Sequence, residues 1–418
     1  MKIKNLTVRE QVVEAMSRVY KRALTTTSGG NISATDDNGH IFITPSGIDK
    51  GTLTAEDIAE ILPDGKATGK YAPSMELPFH RDIYRTCKDV RAIVHAHSPA
   101  IVAYACMRVA PDSGYARVFE DRLGKIAPSE YALPGSLKLG GIVRKRFEEG
   151  YRTVMMDNHG ATVAASDMGE ALAMYETLDA LTQTLFYAAA LGGAKLPAKK
   201  LPLALKEYPV EDTGADDPDA RKTVAAFVKR AYAGGLVGNG YGTLAVRSAG
   251  GIFFNADSDA PYDLDENDIV KFAYGKLSAP KKAAYLDLIL KIFEKRPEAN
   301  AVFISAPAAI MGFAVAGAGF DARLIPESYI MLRDVTRLPY ASVADFDAIA
   351  SALSVNAPVA VIDNECAITI GKNATKAFDR MEVLDYSARS VLLAKPVAAI
   401  RPIEGAEVDE INDAFNGW

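Results

Sequence analysis

The sequence of 418 residues predicts a layered α/β fold that occurs twice in tandem. Segments with helical periodicity alternate with short apolar segments typical of β-strands, which is the pattern of helices packed on a sheet. The same segments recur in the same order in the second half of the chain. All five histidines lie in the first half, so the sequence predicts two copies of one fold with different chemistry.

Aligned strings make the repeat visible. AIVHAHSPA at 92–100 lines up with AVFISAPAA at 301–309, and MMDNHGATV at 155–163 lines up with VIDNECAIT at 361–369. Matches that stay in order across a whole domain indicate one domain used twice rather than a short-period solenoid.

A stretch rich in proline, glycine and charge separates the two copies, and such composition is typical of a linker. We therefore predict a first domain at 1–195, a linker at 196–218, a second domain at 219–400 and a C-terminal tail at 401–418.

Each copy opens with an amphipathic helix and closes with a long helix. Proline suits the first position of a helix, so Pro99 marks a helix start after the strand at 91–97. The predicted elements are helices near 8–24, 77–89, 136–150, 168–192 and 218–234, a strand pair within 32–48, a strand at 91–97, and two strands flanking 157–160.

The composition excludes several classes of protein. With 47 basic and 53 acidic residues the net charge is −6, so there is no basic surplus for nucleic acid. Cys87, Cys106 and Cys366 are far apart and form no CxxC pair, which argues against a disulfide framework. The first residues have no apolar core of a signal peptide, and no uninterrupted apolar run reaches membrane length. We expect a cytoplasmic protein without a membrane or nucleic-acid partner.

Three of the histidines form a candidate metal site. His95 and His97 are two residues apart in a β-like run, so their side chains share one face. His159 lies in a turn between two strands and can supply a third nitrogen. Three histidines with an open fourth position are typical of a catalytic zinc rather than a structural one.

An HxH pair by itself is weak evidence, because strand histidines are often satisfied by ordinary hydrogen bonds. In the second copy His95, His97 and His159 align with Phe303, Ser305 and Glu365. The joint loss of all three imidazoles indicates that they act together. A cupin, the other HxH architecture, would place a glutamate shortly after the pair, and SPAIVAY has none.

Glu76 is the carboxylate candidate, at the start of the helix that leads to the HAH strand. An acid there also has an ordinary explanation, because acids favour helix N-termini. Its counterpart in the second copy is Ala284 or Ala283, so the acid disappears together with the histidines. His80, one turn after Glu76, is as well explained by packing or by support of a ligand as by metal binding. His40 lies outside every motif and is predicted to be a surface residue.

Two loops rich in small residues, TTTSGGNIS at 25–33 and ITPSGI at 43–48, can expose backbone N–H groups to an anion. Each string alone is better explained by ordinary turn chemistry. Neither a P-loop nor a GxGxxG motif is present. In the second copy Asn31 becomes Thr243 and Gly47 becomes Ser258, so these loops have diverged too.

Taken in order, SGGNIS, ITPSGI, PSMELPFH, HAH and NHG resemble the class II aldolase/adducin family, in its fuculose-phosphate aldolase-like branch. The resemblance covers the first copy, and copy two resembles a degenerate member. It implies a three-layer αβα fold around a largely antiparallel sheet. It implies a divalent metal, usually Zn²⁺ with Mn²⁺ or Co²⁺ as alternatives, held by His95, His97 and His159.

The resemblance also implies roles for other residues. Glu76 matches the carboxylate close to the metal, so it is predicted both as a metal-site residue and as the catalytic acid/base. Met75 departs from the hydroxyl-bearing residue of many members, which opens the possibility of a smaller or non-phosphorylated anion. The positions that match binding of the substrate's phosphate are Gly30, Asn31, Ser46, Gly47 and Ser74.

The implied activity is a metal-dependent aldolase, a carbon–carbon lyase that cleaves a sugar phosphate or a related ketose or hydroxy-keto compound through a metal-stabilised enediolate. Epimerase members usually have aspartate at the position of Glu76, so glutamate favours aldol chemistry. A sugar-phosphate 4-epimerase and a non-enzymatic adducin-like interaction module stay open as alternatives.

In aldolases of this family a neighbouring subunit contributes a tyrosine. Tyr329 lies upstream of Pro339-Tyr340 in the second copy, whereas the first copy has Phe119 at a comparable distance from Tyr131. Tyr329 is therefore a candidate catalytic acid, with a packed interface aromatic as the alternative. By analogy with the family's tetramers we expect a homo-oligomer, a dimer of two-copy chains that forms a pseudo-tetramer.

Overall fold

The computed structural model describes residues 2–203, 205–238, 241–256, 260–281 and 283–415. The predicted counterpart of Gly47, Ser258, lies outside these residues. None of the described helices is both long and apolar enough to cross a membrane. The cytoplasmic location stays a prediction.

The chain forms two compact units. The first contains Met1–Gly114 and Phe119–Thr182, and the second contains Tyr115–Val118 and Gln183–Trp418. The short segment 115–118 thus packs with the second unit although it precedes the linker in sequence. The predicted domain boundaries at 195 and 219 stay predictions.

The first unit is built on an eight-stranded sheet with the strand order β4-β3-β2-β1-β5-β8-β7-β6. Neighbouring strands are antiparallel except β6 and β7, which are parallel. The strands are β1 (Asn31–Thr35), β2 (Ile41–Ile43), β3 (Ala59–Ile61), β4 (Ala67–Thr68), β5 (Ala92–Ala96), β6 (Ile126–Ser129), β7 (Thr153–Met156) and β8 (Gly160–Ala165).

Helices cover this sheet on both faces. Every residue of β5 and β8 is buried, and successive residues of a strand point to opposite faces, so neither face is open to solvent. The α-helices are α1 (Val8–Lys21), α2 (Leu77–Thr86), α3 (Pro99–Met107), α4 (Arg117–Leu123), α5 (Leu137–Glu148) and α6 (Met168–Ala190). The predicted three-layer αβα architecture is confirmed.

Local sequence explains where these helices begin. Thr7 and Glu10 form a capping box at the start of α1. The Ser98 side chain accepts a hydrogen bond from the Ile101 N–H, and Pro99 follows as the first residue of α3, as predicted. Strands β3, β4 and β6 and helix α4 are not in the sequence-based prediction.

The second unit repeats the topology with the strand order β12-β11-β10-β9-β13-β16-β15-β14. Only β14 and β15 are parallel neighbours among its paired strands. Its strands are β9 (Thr243–Ser248), β10 (Gly251–Phe254), β11 (Val270–Ala273), β12 (Lys276–Leu277), β13 (Ala301–Ser305), β14 (Val335–Leu338), β15 (Val359–Ile362) and β16 (Cys366–Gly371). Its α-helices are α7 (Pro218–Ala233), α8 (Leu286–Lys295), α9 (Ala308–Ala316), α10 (Pro326–Leu332), α11 (Phe346–Ala352), α12 (Ala374–Ala394) and α13 (Ala406–Ala414).

Strand register corrects the predicted alignment of the histidines. His95 pairs with Asn31 on one side and Thr162 on the other. Ile304 occupies the same position in the second sheet, between Thr243 and Ile368. The counterpart of His95 is therefore Ile304, not Phe303, and the counterpart of His97 is Ala306, not Ser305. The end-to-end alignment of 92–100 with 301–309 already pairs His95 with Ile304, so the assignment to Phe303 and Ser305 was inconsistent with the repeat itself.

Helix starts correct two further predictions. Glu76 directly precedes α2 and Tyr285 directly precedes α8, so the counterpart of Glu76 is Tyr285, not Ala284 or Ala283. Helices α4 and α10 have equal length and lead into the equivalent strands β6 and β14. Tyr329, the fourth residue of α10, therefore matches Glu120 rather than Phe119.

Candidate metal centre

The three predicted histidines converge at one end of the first sheet. His95 is in β5, His97 follows directly after it, and His159 lies in the turn between β7 and β8. One ring nitrogen from each lies within 4.8 Å of the others. The Nε2 atoms of His95 and His97 are only 2.9 Å apart. Such a close approach of ring nitrogens leaves the centre of the cluster suited to a cation.

Two glycines allow the chain to approach the histidines closely. A Cβ at Gly160 would lie 2.6 Å from the Ala96 carbonyl oxygen and 2.7 Å from Cδ2 of His97. Gly30, at the start of β1, has a φ of +68°, and a Cβ there would lie 2.7 Å from the His95 carbonyl oxygen. Only glycine fits at these two positions, which explains Gly160 in the NHG motif and Gly30 in the SGGN motif.

The orientation of the His95 ring is fixed from behind. Its Nδ1 lies 3.0 Å from the Ala161 carbonyl oxygen and 3.1 Å from Oγ1 of Thr162. A carbonyl oxygen only accepts, so Nδ1 carries the proton and Nε2 faces the cluster with its lone pair. Metal-binding histidines usually have this kind of support from the second ring nitrogen.

Glu76 faces the histidines rather than the end of its helix. Its side chain makes no capping hydrogen bond, although it occupies the N-cap position of α2. Oε2 lies 3.2 Å from Nε2 of His95, and Oε1 lies 3.6 Å from Nε2 of His159. The ordinary helix-start explanation does not account for this placement, because the carboxylate points into the cluster.

A buried chain of polar groups supports Glu76 from behind. Asn31 donates from Nδ2 to Oε2 of Glu76 at 2.8 Å, and its Oδ1 lies 2.5 Å from Nε2 of His80. The other ring nitrogen of His80 lies 2.7 Å from Oγ of Ser33, which in turn contacts the Tyr84 hydroxyl at 2.8 Å. Both ring nitrogens of His80 are thus engaged, so His80 orients Asn31 and is not a metal ligand.

Sequence reasoning did not identify Ser33 and Tyr84, although a signal was available. Ser33 is two residues after Asn31 in a strand, so both side chains share a face. Tyr84 is four residues after His80 in a helix, so these also share a face. The two periodicities single out Ser33 and Tyr84 as candidates, but only the packing of α2 against β1 brings them into contact.

Burial favours the neutral form of His97 and His159, which is the form that can bind a metal. Burial lowers the pKa of His97 to about 3 and that of His159 to about 4, and any positive charge on His95 would lower both further. Burial likewise lowers the pKa of His80 to about 3. Burial raises the pKa of Glu76, but the hydrogen bond from Asn31 and any positive charge on His95 or His159 lower it, and the net pKa is below its usual range.

The residues present fit a divalent cation. Oε1 of Glu76 and Nδ1 of His159 are buried without a hydrogen-bond partner. Buried polar atoms normally have partners, so the unpartnered Oε1 of Glu76, which faces the histidines, fits a bound cation. Three imidazole nitrogens and a carboxylate are the donor set that zinc and its neighbours prefer.

The predicted substrate residues border this cluster. Asn31 and Ser74 are buried, Ser46 is half-buried and Gly47 is exposed. The Ser74 hydroxyl accepts a hydrogen bond from the Glu76 N–H at 3.2 Å, so it helps to set the start of α2. Their contacts with a substrate stay a prediction.

The other predicted residues lie elsewhere. Tyr329 lies in α10 of the second unit, half-buried, with the Arg333 guanidinium 5.4 Å from its ring centre. Its role as a catalytic acid stays a prediction. His40 is half-buried, 3.0 Å from a carboxylate oxygen of Glu60 and away from the cluster.

In the second unit an ion pair occupies the equivalent place. Glu365 matches His159, and its Oε1 accepts a hydrogen bond from the Tyr285 hydroxyl at 2.5 Å. Arg117, from the segment 115–118 that packs with this unit, donates to the same oxygen at 2.6 Å and to the Tyr285 hydroxyl oxygen at 2.7 Å. Sequence reasoning did not predict that a guanidinium would lie there.

Comparison with known proteins identifies the family of the chain. The model of the Class II Aldolase and Adducin N-terminal domain matches residues 10–186 and again residues 222–392. The chain therefore belongs to this family, and each of its two copies matches the family separately.

Individual relatives match less than half of the chain but most of their own length. The 3-oxo-tetronate 4-phosphate decarboxylase of Pectobacterium atrosepticum is 29% identical over 182 residues, which are 43% of this chain and 83% of that protein. The L-fuculose phosphate aldolase of Methanococcus maripaludis is 33% identical over 165 residues, 40% of this chain and 88% of that protein. A solved L-fuculose 1-phosphate aldolase is 29% identical with a TM-score of 0.41, covering 46% of this chain and 91% of that one.

Proposed function

We propose that the first unit is a metal-dependent aldolase that cleaves a carbon–carbon bond in a small anionic ketose or hydroxy-keto compound, such as a sugar phosphate. The observation that carries the proposal is the carboxylate of Glu76 within hydrogen-bonding distance of a three-histidine cluster. An acid/base beside a Lewis-acid site is what enolate-forming chemistry requires.

His95, His97 and His159 would hold the metal, with Glu76 beside it. Zn²⁺ fits this donor set, and Mn²⁺ or Co²⁺ are alternatives. A divalent ion bound there supplies Lewis acidity to an oxygen next to the bond that breaks. The Ala161 carbonyl behind His95 keeps that imidazole in the correct tautomer for binding.

Glu76 would move the proton at the donor carbon. Asn31 holds Oε2, whereas Oε1 is buried without a partner and is the oxygen available to accept or return a proton. The chain from Asn31 through His80 to Ser33 keeps the carboxylate in one orientation. Burial of these groups excludes water that would otherwise compete for the proton.

The loops at 25–33 and 43–48 would bind the anionic end of the substrate through Gly30, Asn31, Ser46, Gly47 and Ser74. Met75, beside them, is 71% exposed and offers no hydroxyl. The site thus has fewer hydroxyl donors than many members of the family are expected to have, which supports a small anion.

Tyr329 as a second catalytic acid and the dimer of two-copy chains are part of the same proposal. Tyr329→Phe should lower kcat without changing the metal content if the hydroxyl donates a proton. Sedimentation of the purified chain should give twice the mass of 44.8 kDa. Unchanged kcat in Tyr329→Phe would identify this tyrosine as a packing residue.

A second candidate is a decarboxylase, because relatives with that name match the chain as well as the aldolases do. Both reactions break a bond to carbon and leave negative charge beside a carbonyl. A screen of ketose 1-phosphates and 3-oxo acid phosphates, with Zn²⁺, Mn²⁺ or Co²⁺, separates them by product. An aldehyde indicates aldol cleavage, CO₂ indicates decarboxylation, and a rearranged pentulose phosphate without either indicates an epimerase.

Metal analysis tests the non-enzymatic alternative. We expect about one divalent ion per chain in the purified protein, because only the first unit has the histidines. Added Zn²⁺ should raise the melting temperature of protein treated with a chelator. No bound ion and no such stabilisation would favour an interaction module.

A further inference from the structure

A small cavity in the second unit has no part in the proposed reaction. Its volume is about 150 Å³, and it lies at the end of the sheet opposite Glu365. Its wall is formed by the end of β16, the first turns of α12 and the loop before β15. Three of its lining residues are cations: Lys372, Lys376 and Arg380.

Arg380 is buried without an acidic partner. Its side chain is 7% exposed. Nε donates to the Met331 carbonyl at 3.0 Å and Nη1 donates to the Ile370 carbonyl at 2.6 Å. Nη2 has no hydrogen-bond partner among the described residues, and no carboxylate forms an ion pair with Arg380 there. Burial lowers the pKa of Arg380 to about 10, yet the guanidinium stays charged at neutral pH. A buried charge without a counter-ion is unfavourable unless a ligand supplies one.

The neighbouring lysines increase this excess of positive charge. Burial lowers the pKa of Lys376, and repulsion from Arg380 and Lys372 lowers it further. Two acids are nearby: Glu298 lines the cavity but is exposed, and Asp379 partly offsets the charge of Lys376 and Arg380. Neither accepts a hydrogen bond from Arg380, so the cavity keeps a surplus of donors.

The first unit has the opposite charge at the same place. Strands β8 and β16 and helices α6 and α12 match residue by residue, so Glu170 corresponds to Lys376 and Met174 to Arg380. Glu170 forms an ion pair with Arg122. The cleft of the first unit is therefore balanced by its own side chains, whereas the cavity of the second unit is not.

We propose that this cavity is a binding site for a tetrahedral dianion, either inorganic phosphate or the phosphoryl group of a small molecule. The guanidinium of Arg380 can donate to a phosphate oxygen through Nη2, and the two lysines contribute point charges. A cavity of about 150 Å³ has room for a phosphoryl group. The site is independent of the metal centre, because every residue that lines it belongs to the second unit.

Calorimetric titration of the full-length chain with inorganic phosphate tests the proposal. Lys376→Glu introduces the residue that the first unit has at this position. We expect it to weaken phosphate binding roughly tenfold or more. Lys395→Glu makes the same change of charge at the far end of α12 and is the matched control. Lys372→Ser, at an exposed position, keeps the test usable if Lys376→Glu does not fold.

The measured number of phosphate ions bound per chain distinguishes binding in this cavity from binding at the proposed active site of the first unit. Lys376→Glu should remove one site per chain and leave aldol cleavage unchanged. A parallel titration with glycerol phosphate shows whether the cavity prefers a phosphoryl group on a small molecule or free phosphate. Tighter binding of either one supports a site for a tetrahedral dianion. Phosphate binding that is equal in the wild type, Lys376→Glu and Lys372→Ser overturns the proposal, as does equal weakening by Lys395→Glu.

Discussion

The metal end of the first unit and the equivalent place in the second differ in how they stabilise a buried carboxylate. In the first unit Glu76 faces three imidazoles, and two atoms of the cluster lack partners. In the second unit Glu365 is bound by the guanidinium of Arg117 and the hydroxyl of Tyr285. The same fold therefore carries a three-histidine cluster that fits a cation in one unit and a buried Arg117–Glu365 ion pair in the other.

The side chains at the positions that support Glu76 also differ: they are polar in the first unit and mostly apolar in the second. Asn31, Ser33 and His80 form a polar chain in the first unit. Their counterparts by register and helix position are Thr243, Ala245 and Ile289, and the last two belong to an apolar core. The polar network thus accompanies the buried carboxylate of Glu76, and apolar packing takes its place where the acid and the histidines are absent.

The largest effect is expected from Glu76→Gln in the first unit. The amide keeps the size of the side chain but cannot accept the proton, so turnover should fall by roughly 10²- to 10⁴-fold. Metal content measured on the same sample should be unchanged. Full activity in the metal-loaded variant would remove Glu76 from the mechanism.

Arg117→Met should destabilise the second unit. Glu365 has a side chain that is 1% exposed, and removing the guanidinium leaves its charge unpaired. Breaking such a buried pair typically costs about 3–5 kcal/mol of unfolding free energy. Hydrogen exchange of β16 should report this loss while β8 stays protected.

The double variant Arg117→Met/Glu365→Met is the control for this experiment. Because it removes both charges, it should recover most of the lost stability. Equal instability of the single and double variants would show that Arg117 acts through packing rather than through its charge.

Asn31→Thr transfers the second unit's residue into the first. The threonine cannot hold both Glu76 and His80, so the carboxylate loses its fixed orientation. Loss of such support typically lowers metal affinity or activity about 10- to 100-fold. Activity within twofold of the wild type, at saturating metal, would show that Glu76 needs no such support.

The smallest effect concerns a lysine buried in each unit. Lys271 donates to three carbonyl oxygens, of Thr213, Gly214 and Ala215, whereas Lys50 has one acceptor among the described residues, the carbonyl oxygen of Pro45. Burial lowers the pKa of Lys50 from 10.5 to about 8. Between these values the unfolded chain binds more protons, so the contribution of Lys50 to stability rises with pH.

The Lys50→Met variant should therefore have a higher free energy of unfolding than the wild type at pH 7.5. This difference should be smaller at pH 10. The change is expected to be on the order of 1–3 kcal/mol in denaturant unfolding. A difference between the two proteins that does not vary with pH would mean that Lys50 is not the group that titrates.

Much of this protein is determined by its sequence alone. The duplicated αβα architecture, the HAH strand and the position of Glu76 at a helix start follow from periodicity and motif order, because these depend on residues close in sequence. The joint absence of histidines from the second copy also predicted that the two units differ in chemistry.

The tertiary structure alone decided the rest. The counterpart of Glu76 lies between matching strings whose numbering offsets differ, so only the start of α8 identifies it as Tyr285. The contact of His80 with Ser33 and of Arg117 with Glu365 joins residues far apart in the chain. Such contacts depend on how strands and helices pack. Local propensity does not indicate which distant side chain will form a hydrogen bond with a buried polar group.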